Sequence, residues 1–249
     1  MEPQLQHGVS DSVATVVIHH PEKRNAMTAA MWRSLPPLLD TLAADPDVRA
    51  LVLTGAGGTF CAGADISTLR ESPEVAQGLA VAAEEALAAF PKPTLAAIRG
   101  HCVGGGAQLA AACDLRFAEE GALFGVTPAK LGIVYPASST RRLVALVGPS
   151  AAKYLLFSGE LIDGGRALRT GLVDEVLPEG ELDKRVAEFT RILVSRSQLT
   201  QAAAKEFADG LTDRDGHWVE QARGSGDTAE GVAAFLERRQ PRFTWTTSG

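Results

Sequence analysis

Cysteine is scarce in this chain of 249 residues: there are three, Cys61, Cys102 and Cys113. An odd set without CxxC or Cys–His spacing is neither a disulfide framework nor a zinc site. Small apolar neighbours predict reduced, packed thiols, and no metal is expected. Aromatic residues are sparse as well, at 6%. No apolar run approaches the ~18 residues of a membrane span. The opening MEPQLQHGVSDS lacks the charged-then-apolar pattern of a secretion signal, so a cytoplasmic location away from membranes is the expectation. Basic charge is not in excess either. The net charge is −6, which argues against a nucleic-acid partner, since that needs a concentrated basic face. A small basic pocket for a phosphorylated ligand remains compatible with it. What is present is ordinary globular composition, 45% hydrophobic and 22% charged, enough for one large domain with or without a helical appendage.

The first half alternates two hydrophobic periods. Val13–His19, Val48–Thr54, Thr94–Arg99 and Leu115–Ala118 read as strands. Between them, helices are predicted from the Thr28 cap to about Ala44 and around Glu74–Phe90, where Pro91 and Pro93 end the second. Such alternation indicates an α/β core with a parallel or mostly parallel sheet. From about Ala137 the pattern is helical, apart from Leu172–Val176. Leu182, Val186, Phe189 and Leu193 share one helical face, and Val232, Phe235 and Leu236 make a second stripe. Both stripes need a surface to pack on, either the α/β core or a neighbouring subunit. The division expected is a core over residues 1–190 and a C-terminal helical region over 191–249.

The stretch TLAAIRGHCVGGGAQLAAACD, Thr94–Asp114, carries the strongest chemical signal. A buried strand gives way to a turn at Gly104–Gly106, and a helix follows over Ala107–Cys113. Helix N-termini hold uncommitted N–H groups at the positive end of the helix dipole. Glycine there lets a ligand oxygen approach the backbone. A second glycine-containing turn, FCAGADI, follows the Val48–Thr54 strand. Amides from the two turns converging on one oxygen would form an oxyanion hole; the alternative is two tight turns and nothing more.

Other chemistries lack their spacing. Gly55-Ala-Gly57-Gly58 has Phe60 where a dinucleotide fingerprint needs glycine, and no G-x₄-G-K-[ST] occurs. Gly148-Pro-Ser150 lacks the later glycine of a nucleophile elbow, so Ser150 reads as part of a helix start. His19-His20 and Asp213-Arg-Asp215-Gly-His217 lack ligand spacing and read as structural or solvated. Asp114 reads as a structural hydrogen-bonder, His101 as packed, and Arg141 and Arg142 as an interface or ion-pair feature.

Taken together, HHPEKRNAM, FCAGADI, PKPTLAAIRGHCVGGGAQLAAACDLRFA, FGVTPAKLGI and EGVAAFLERRQPRF span almost the whole chain. This combination resembles the enoyl-CoA hydratase/isomerase, or crotonase, superfamily. The resemblance implies a spiral of ββα units with a C-terminal helical trimerisation region. It also implies a homotrimer or dimer of trimers, and a substrate presented as an acyl-CoA thioester. Coenzyme A is then part of the substrate and no separate cofactor is needed. By motif position, Ala64 and Gly105 would hold the thioester oxygen. The CoA moiety would lie near Lys23, Arg24 and Ala26 and along Ala62, Asp65 and Ile66. Lys23 and Arg24 read equally well as a solvated loop pair.

The hydratases of this family use two glutamates, and this chain has Gln108 and Pro128 in their places. Glutamine does not exchange a proton near neutral pH, and proline has neither an acid nor an N–H. Losing positioned acid–base groups costs about 10²–10⁴-fold each, so efficient hydration is not expected. Tyr135, in LGIVYP, stands where crotonase-type decarboxylases of malonyl-type thioesters carry a tyrosine. Those decarboxylases also carry a histidine where this chain has Ala64. Three readings follow: a hydratase/isomerase-family enzyme with Gln108 and Tyr135 on the acyl group, a decarboxylase using Tyr135, and a non-catalytic acyl-CoA binder. Tyr135 as a core-packing residue is the structural alternative.

Overall fold

The computed structural model describes residues 2–67 and 73–247. A six-stranded sheet runs in the order β1-β2-β3-β4-β6-β9. Its strands are β1 (Gln4–Ser10), β2 (Val13–His19), β3 (Ala50–Gly55), β4 (Thr94–Ile98), β6 (Leu115–Glu119) and β9 (Glu175–Leu177). All neighbouring pairs are parallel except β1–β2, which is an antiparallel hairpin. Asp11 and Ser12 form its turn with φ of 50° and 62°, the left-handed pair that a two-residue hairpin requires. The sequence pattern does not reveal β1, because this edge strand is largely exposed and has no buried side to impose alternation. In β2, Ala14, Val16 and Ile18 all point inward and are fully buried. Central β4 is buried at every position, as a parallel strand covered on both faces must be.

A second sheet of three strands has the order β5-β7-β8, from β5 (His101–Val103), β7 (Leu123–Gly125) and β8 (Ile162–Asp163). These strands are too short to show a period, so sequence reading passes over them.

On one face of the large sheet lie α1 (Ala29–Ala44), α2 (Pro73–Ala88) and α3 (Gly105–Ala112), within the main core. Thr28 caps α1 as expected, its hydroxyl accepting from the Met31 N–H. The predicted turn at Gly104–Gly106 is shorter than expected, because the helix already begins at Gly105. Glycine is needed inside that first turn for approach rather than for bending. A Cβ on Gly106 would sit 2.3 Å from the Cys61 carbonyl oxygen.

The next helix, α4 (Ala137–Ser158), is interrupted at Gly148, whose φ of 73° and ψ of 164° separate two segments; Ser150 lies at the start of the second. After α5 (Gly164–Thr170), α6 (Leu182–Val194) covers the other face of the large sheet. Leu182, Val186 and Phe189 pack there against Val52, Leu95, Ala97 and Phe117. The Phe117 and Phe189 rings meet edge to face at 5.2 Å. Three helices follow: α7 (Gln198–Ala208), α8 (Asp215–Ser225) and α9 (Asp227–Glu237). The first two share a small cluster of Leu199, Ala202 and Trp218, with Trp245 packed against it. Lys205 of α7 reaches the core through Asp114, at 3.0 Å. The Val232, Phe235 and Leu236 stripe does not pack on the core; these side chains are 55%, 83% and 74% exposed. Among the described residues no helix is long and apolar enough to cross a membrane.

Candidate active site

The site begins with how segment 61–65 is threaded. On one edge Cys61 pairs with β5: its N–H donates to the His101 carbonyl at 2.8 Å, and its own carbonyl accepts from Val103 at 3.0 Å. On the other edge the Met27 N–H donates to the Gly63 carbonyl, and the Asp65 N–H donates to the Met27 carbonyl, at 2.8 and 2.9 Å. Successive amides of an extended chain point to opposite sides, so the Ala64 N–H faces away from Met27. Gly105 opens α3 beside it: a Cβ there would lie 3.4 Å from the Ala64 nitrogen and 2.9 Å from Cζ2 of Trp32. Among the described residues neither N–H donates to a backbone acceptor.

The two amides border a cavity of about 180 Å³. Trp32, Ile66, Ala80, Leu131 and Ile133 give it apolar walls, and Gln108, Thr127 and Tyr135 supply polar side chains. Thus Ala62, Ala64, Ile66, Gly105, Gln108 and Tyr135, six of the residues singled out from the sequence, meet at one cavity. Pro128 is part of its lining too, at the start of a short 3₁₀ turn over Pro128–Leu131.

Lys23, Arg24, Ala26 and Asp65 fall outside the lining, on or against the loop that leads into it. Lys23 Nζ pairs with Asp65 Oδ2 at 2.7 Å. Burial would raise the Asp65 carboxyl, but hydrogen bonds from Lys23 and Ser67 outweigh it and hold the group below its ordinary value. The Arg24 carbonyl accepts from the Ala62 N–H at 3.0 Å, and Arg24 and Asn25 both adopt positive φ. The buried Asn25 amide donates to the carbonyls of Ala56 and Thr59, stapling this loop to the next. His20 Nδ1 lies 2.8 Å from the Ala26 carbonyl oxygen, a structural role.

Behind Gln108 stands a residue the sequence reading missed. Glu84 of α2 is fully buried. Gln108 Nε2 donates to its Oε2 at 2.6 Å. The Ser139 hydroxyl donates to the same oxygen, and the Arg142 guanidinium donates to Oε1. Gln108 Nε2 also donates to Ser139 Oγ at 3.1 Å. The available signal was positional: Glu84 follows Ala76 and Ala80 at helical spacing and sits beside Ala83 and Leu87, on the apolar face. Burial pushes the Tyr135 phenol well above its ordinary value, and the Glu84 charge adds to this, with Arg142 opposing. The phenol is therefore a proton donor throughout the neutral range.

The remaining candidates are structural. Asp114 Oδ2 accepts from the Thr94 N–H at 2.7 Å and from Lys205. His101 lies on β5, outside the cavity lining. The three thiols are free and buried; burial pushes Cys61 and Cys113 up to about 12 and Cys102 well above its ordinary value.

Comparison with known proteins shows the family. The enoyl-CoA hydratase/isomerase family profile matches residues 8–246. A crotonyl-CoA hydratase of Syntrophomonas wolfei is 33% identical, over 94% of this chain and 95% of its own length. The mitochondrial enoyl-CoA hydratase domain-containing protein 2 of Bos taurus is 33% identical, over 95% of this chain and 86% of its own. A crystal structure of an enoyl-CoA hydratase/isomerase family member superposes with a TM-score of 0.91 at 38% identity, covering 99% of this chain and 98% of that one. With the same two sheets and C-terminal helices, the chain belongs to the enoyl-CoA hydratase/isomerase family, the crotonase superfamily of acyl-CoA enzymes.

Proposed function

We propose that this chain binds an acyl group as its coenzyme A thioester and stabilises the enolate formed at the thioester carbonyl. The N–H groups of Ala64 and Gly105 receive the oxygen, while Gln108 and Tyr135 contact the acyl group. The observation that carries this reading is the pair of adjacent, uncommitted amides bordering one largely apolar cavity. Donors fixed in advance stabilise developing charge without reorganising. The CoA moiety lies along Lys23, Arg24, Ala26, Ala62, Asp65 and Ile66, with Lys23 shared between Asp65 and a phosphate.

Efficient hydration is not part of the proposal. Gln108 and Pro128 occupy the glutamate positions, and among the described residues no carboxylate lines the cavity. Isomerase- or lyase-type chemistry through the enolate is the reading favoured. Decarboxylation of a malonyl-type thioester is a second reading, supported by Tyr135 in the lining as a protonated donor. The exposed Val232, Phe235 and Leu236 stripe supports assembly as a homotrimer or dimer of trimers.

Incubation with crotonyl-CoA and methylmalonyl-CoA tests the function, following loss of the enoyl absorbance and release of CO₂. Consumption of one ester is expected. Tight binding of both with no consumption of either, and no deuterium uptake from solvent at the α carbon of the bound ester, identifies a non-catalytic acyl-CoA binder instead, and failure of both esters to bind overturns the proposal.

A further inference from the structure

Resting on the acyl-CoA reading above, we propose that Glu84 is a positioning residue that locks the Gln108 amide with its carbonyl oxygen toward the cavity. The site then selects acyl chains bearing a hydrogen-bond donor, such as a hydroxyl, near the α or β carbon.

An ionised carboxylate only accepts. Glu84 Oε1 is served by the Arg142 guanidinium, and Oε2 by the Ser139 hydroxyl and by Gln108 Nε2. Ser139 has one hydroxyl hydrogen, and it goes to Glu84. Its oxygen lies 3.1 Å from Gln108 Nε2 in nearly the same direction as Glu84 Oε2, so one amide hydrogen is shared between these two acceptors. The NH₂ group of Gln108 is thereby held on the wall side. A flipped amide would set Oε1 against the Glu84 oxygen, 2.6 Å from where Nε2 now sits, acceptor facing acceptor. Gln108 Oε1 has no donor among the described residues, and Gln108 borders the cavity while Glu84 lies behind it.

The exposed end of this lock is an acceptor in surroundings where Gln108 is only 5% exposed. Low local dielectric strengthens its preference for a donor and its repulsion of a second carboxylate. The lock therefore also weighs against the malonyl-type reading, which needs an anionic group held near this wall.

Calorimetric titration with butyryl-CoA and racemic 3-hydroxybutyryl-CoA tests the proposal on the wild-type protein, Gln108→Leu and Glu84→Gln. The wild type is expected to bind the hydroxy ester about three- to tenfold tighter, the range of one net hydrogen bond. Gln108→Leu removes that preference. Glu84→Gln also removes it, by freeing the amide to turn, and leaves butyryl-CoA within about twofold. The exchange Glu84→Gln/Gln108→Glu puts the donor on residue 84 and an acceptor back on residue 108, so the preference returns. A purely structural Glu84 would lower both affinities together and would not be rescued.

Equal binding of the two esters by the wild type overturns the lock while leaving the acyl-CoA reading intact; binding of neither overturns both. Retention of the preference in folded Glu84→Gln also overturns it. Should that variant not fold, 3-oxobutyryl-CoA decides through Gln108→Leu. Loss of the locked acceptor weakens the hydroxy ester and leaves or improves the oxo ester. The reverse pattern shows that Gln108 presents its NH₂ group, and the lock is wrong.

Discussion

One wall of the cavity offers main-chain N–H groups at Ala64 and Gly105; the other offers the side chains of Gln108 and Tyr135, backed by Glu84, Ser139 and Arg142. The first wall is held by strand pairing and by glycines that permit close approach. Its geometry does not depend on which side chains surround the ligand, but an added methyl at Gly105 meets Trp32 at 2.9 Å. The second wall has the opposite character. It is built from side chains, and its amide is held from behind by a single buried carboxylate. On the proposed reading, this separates a grip on the thioester from the contact with the chain attached to it.

The sharpest way to break this contrast is Gly105→Pro, which deletes one donor and pushes a ring toward Trp32. Removing one oxyanion donor costs about 10²–10³ in kcat, so turnover of whichever ester the wild type consumes is expected to fall at least that far in a folded variant, checked by circular dichroism. Activity within tenfold of wild type would show that this amide does not hold the oxygen.

Alkaline stability probes the core beneath the site through its buried thiols. In the unfolded chain Cys61 and Cys113 lose their protons near the ordinary value of 9.0, whereas in the fold burial pushes both to about 12. Between those values the folded state holds more protons, so stability falls as pH rises, by about 1.4 kcal/mol per pH unit for each fully engaged thiol. Denaturant midpoints measured from pH 8 to 11 should decline. Replacing Cys61 with alanine should flatten the slope, even though the cavity it leaves lowers stability throughout. The smallest effect is expected at the second wall. Gln108→Glu places two carboxylates against each other, and on the proposed reading Pro128 supplies no second acid. Crotonyl-CoA hydration should therefore rise by less than about tenfold, followed by enoyl absorbance. A hundredfold gain would mean that the side-chain wall is not governed by Glu84.

The two walls also differ in how far they can be read without a structure. Ala64 and Gly105 sit in short glycine-bearing motifs at strand ends, where local sequence specifies backbone conformation. Glu84 stands next to Glu85 in an alanine-rich helix, and only its spacing from Ala76 and Ala80 separates them, with no sign of its partners. Tertiary packing buries the first completely and leaves the side chain of the second 49% exposed. The partners that make Glu84 meaningful lie 24, 55 and 58 residues away. Strand β1 escaped notice because it is an exposed edge, and β5, β7 and β8 because two or three residues carry no period. The sheet strands with a buried face were legible to within a few residues at their ends. The Val232, Phe235 and Leu236 stripe was legible as an apolar face, but the sequence left open what it rests on, and in the single chain it faces solvent.

The link between Lys205 and Asp114 ties two distant parts of this molecule together. Asp114 lies two residues beyond the foot of α3, and Gly105 is that helix's first residue. Eight helical residues make a rod about 12 Å long. The tail helices are thus moored to one end of a stiff spar whose other end bears the Gly105 N–H proposed to hold the thioester oxygen. Lys205→Ala, which cuts that mooring, is expected to slacken the base of the spar, measured as faster amide exchange at Asp114 and its neighbours.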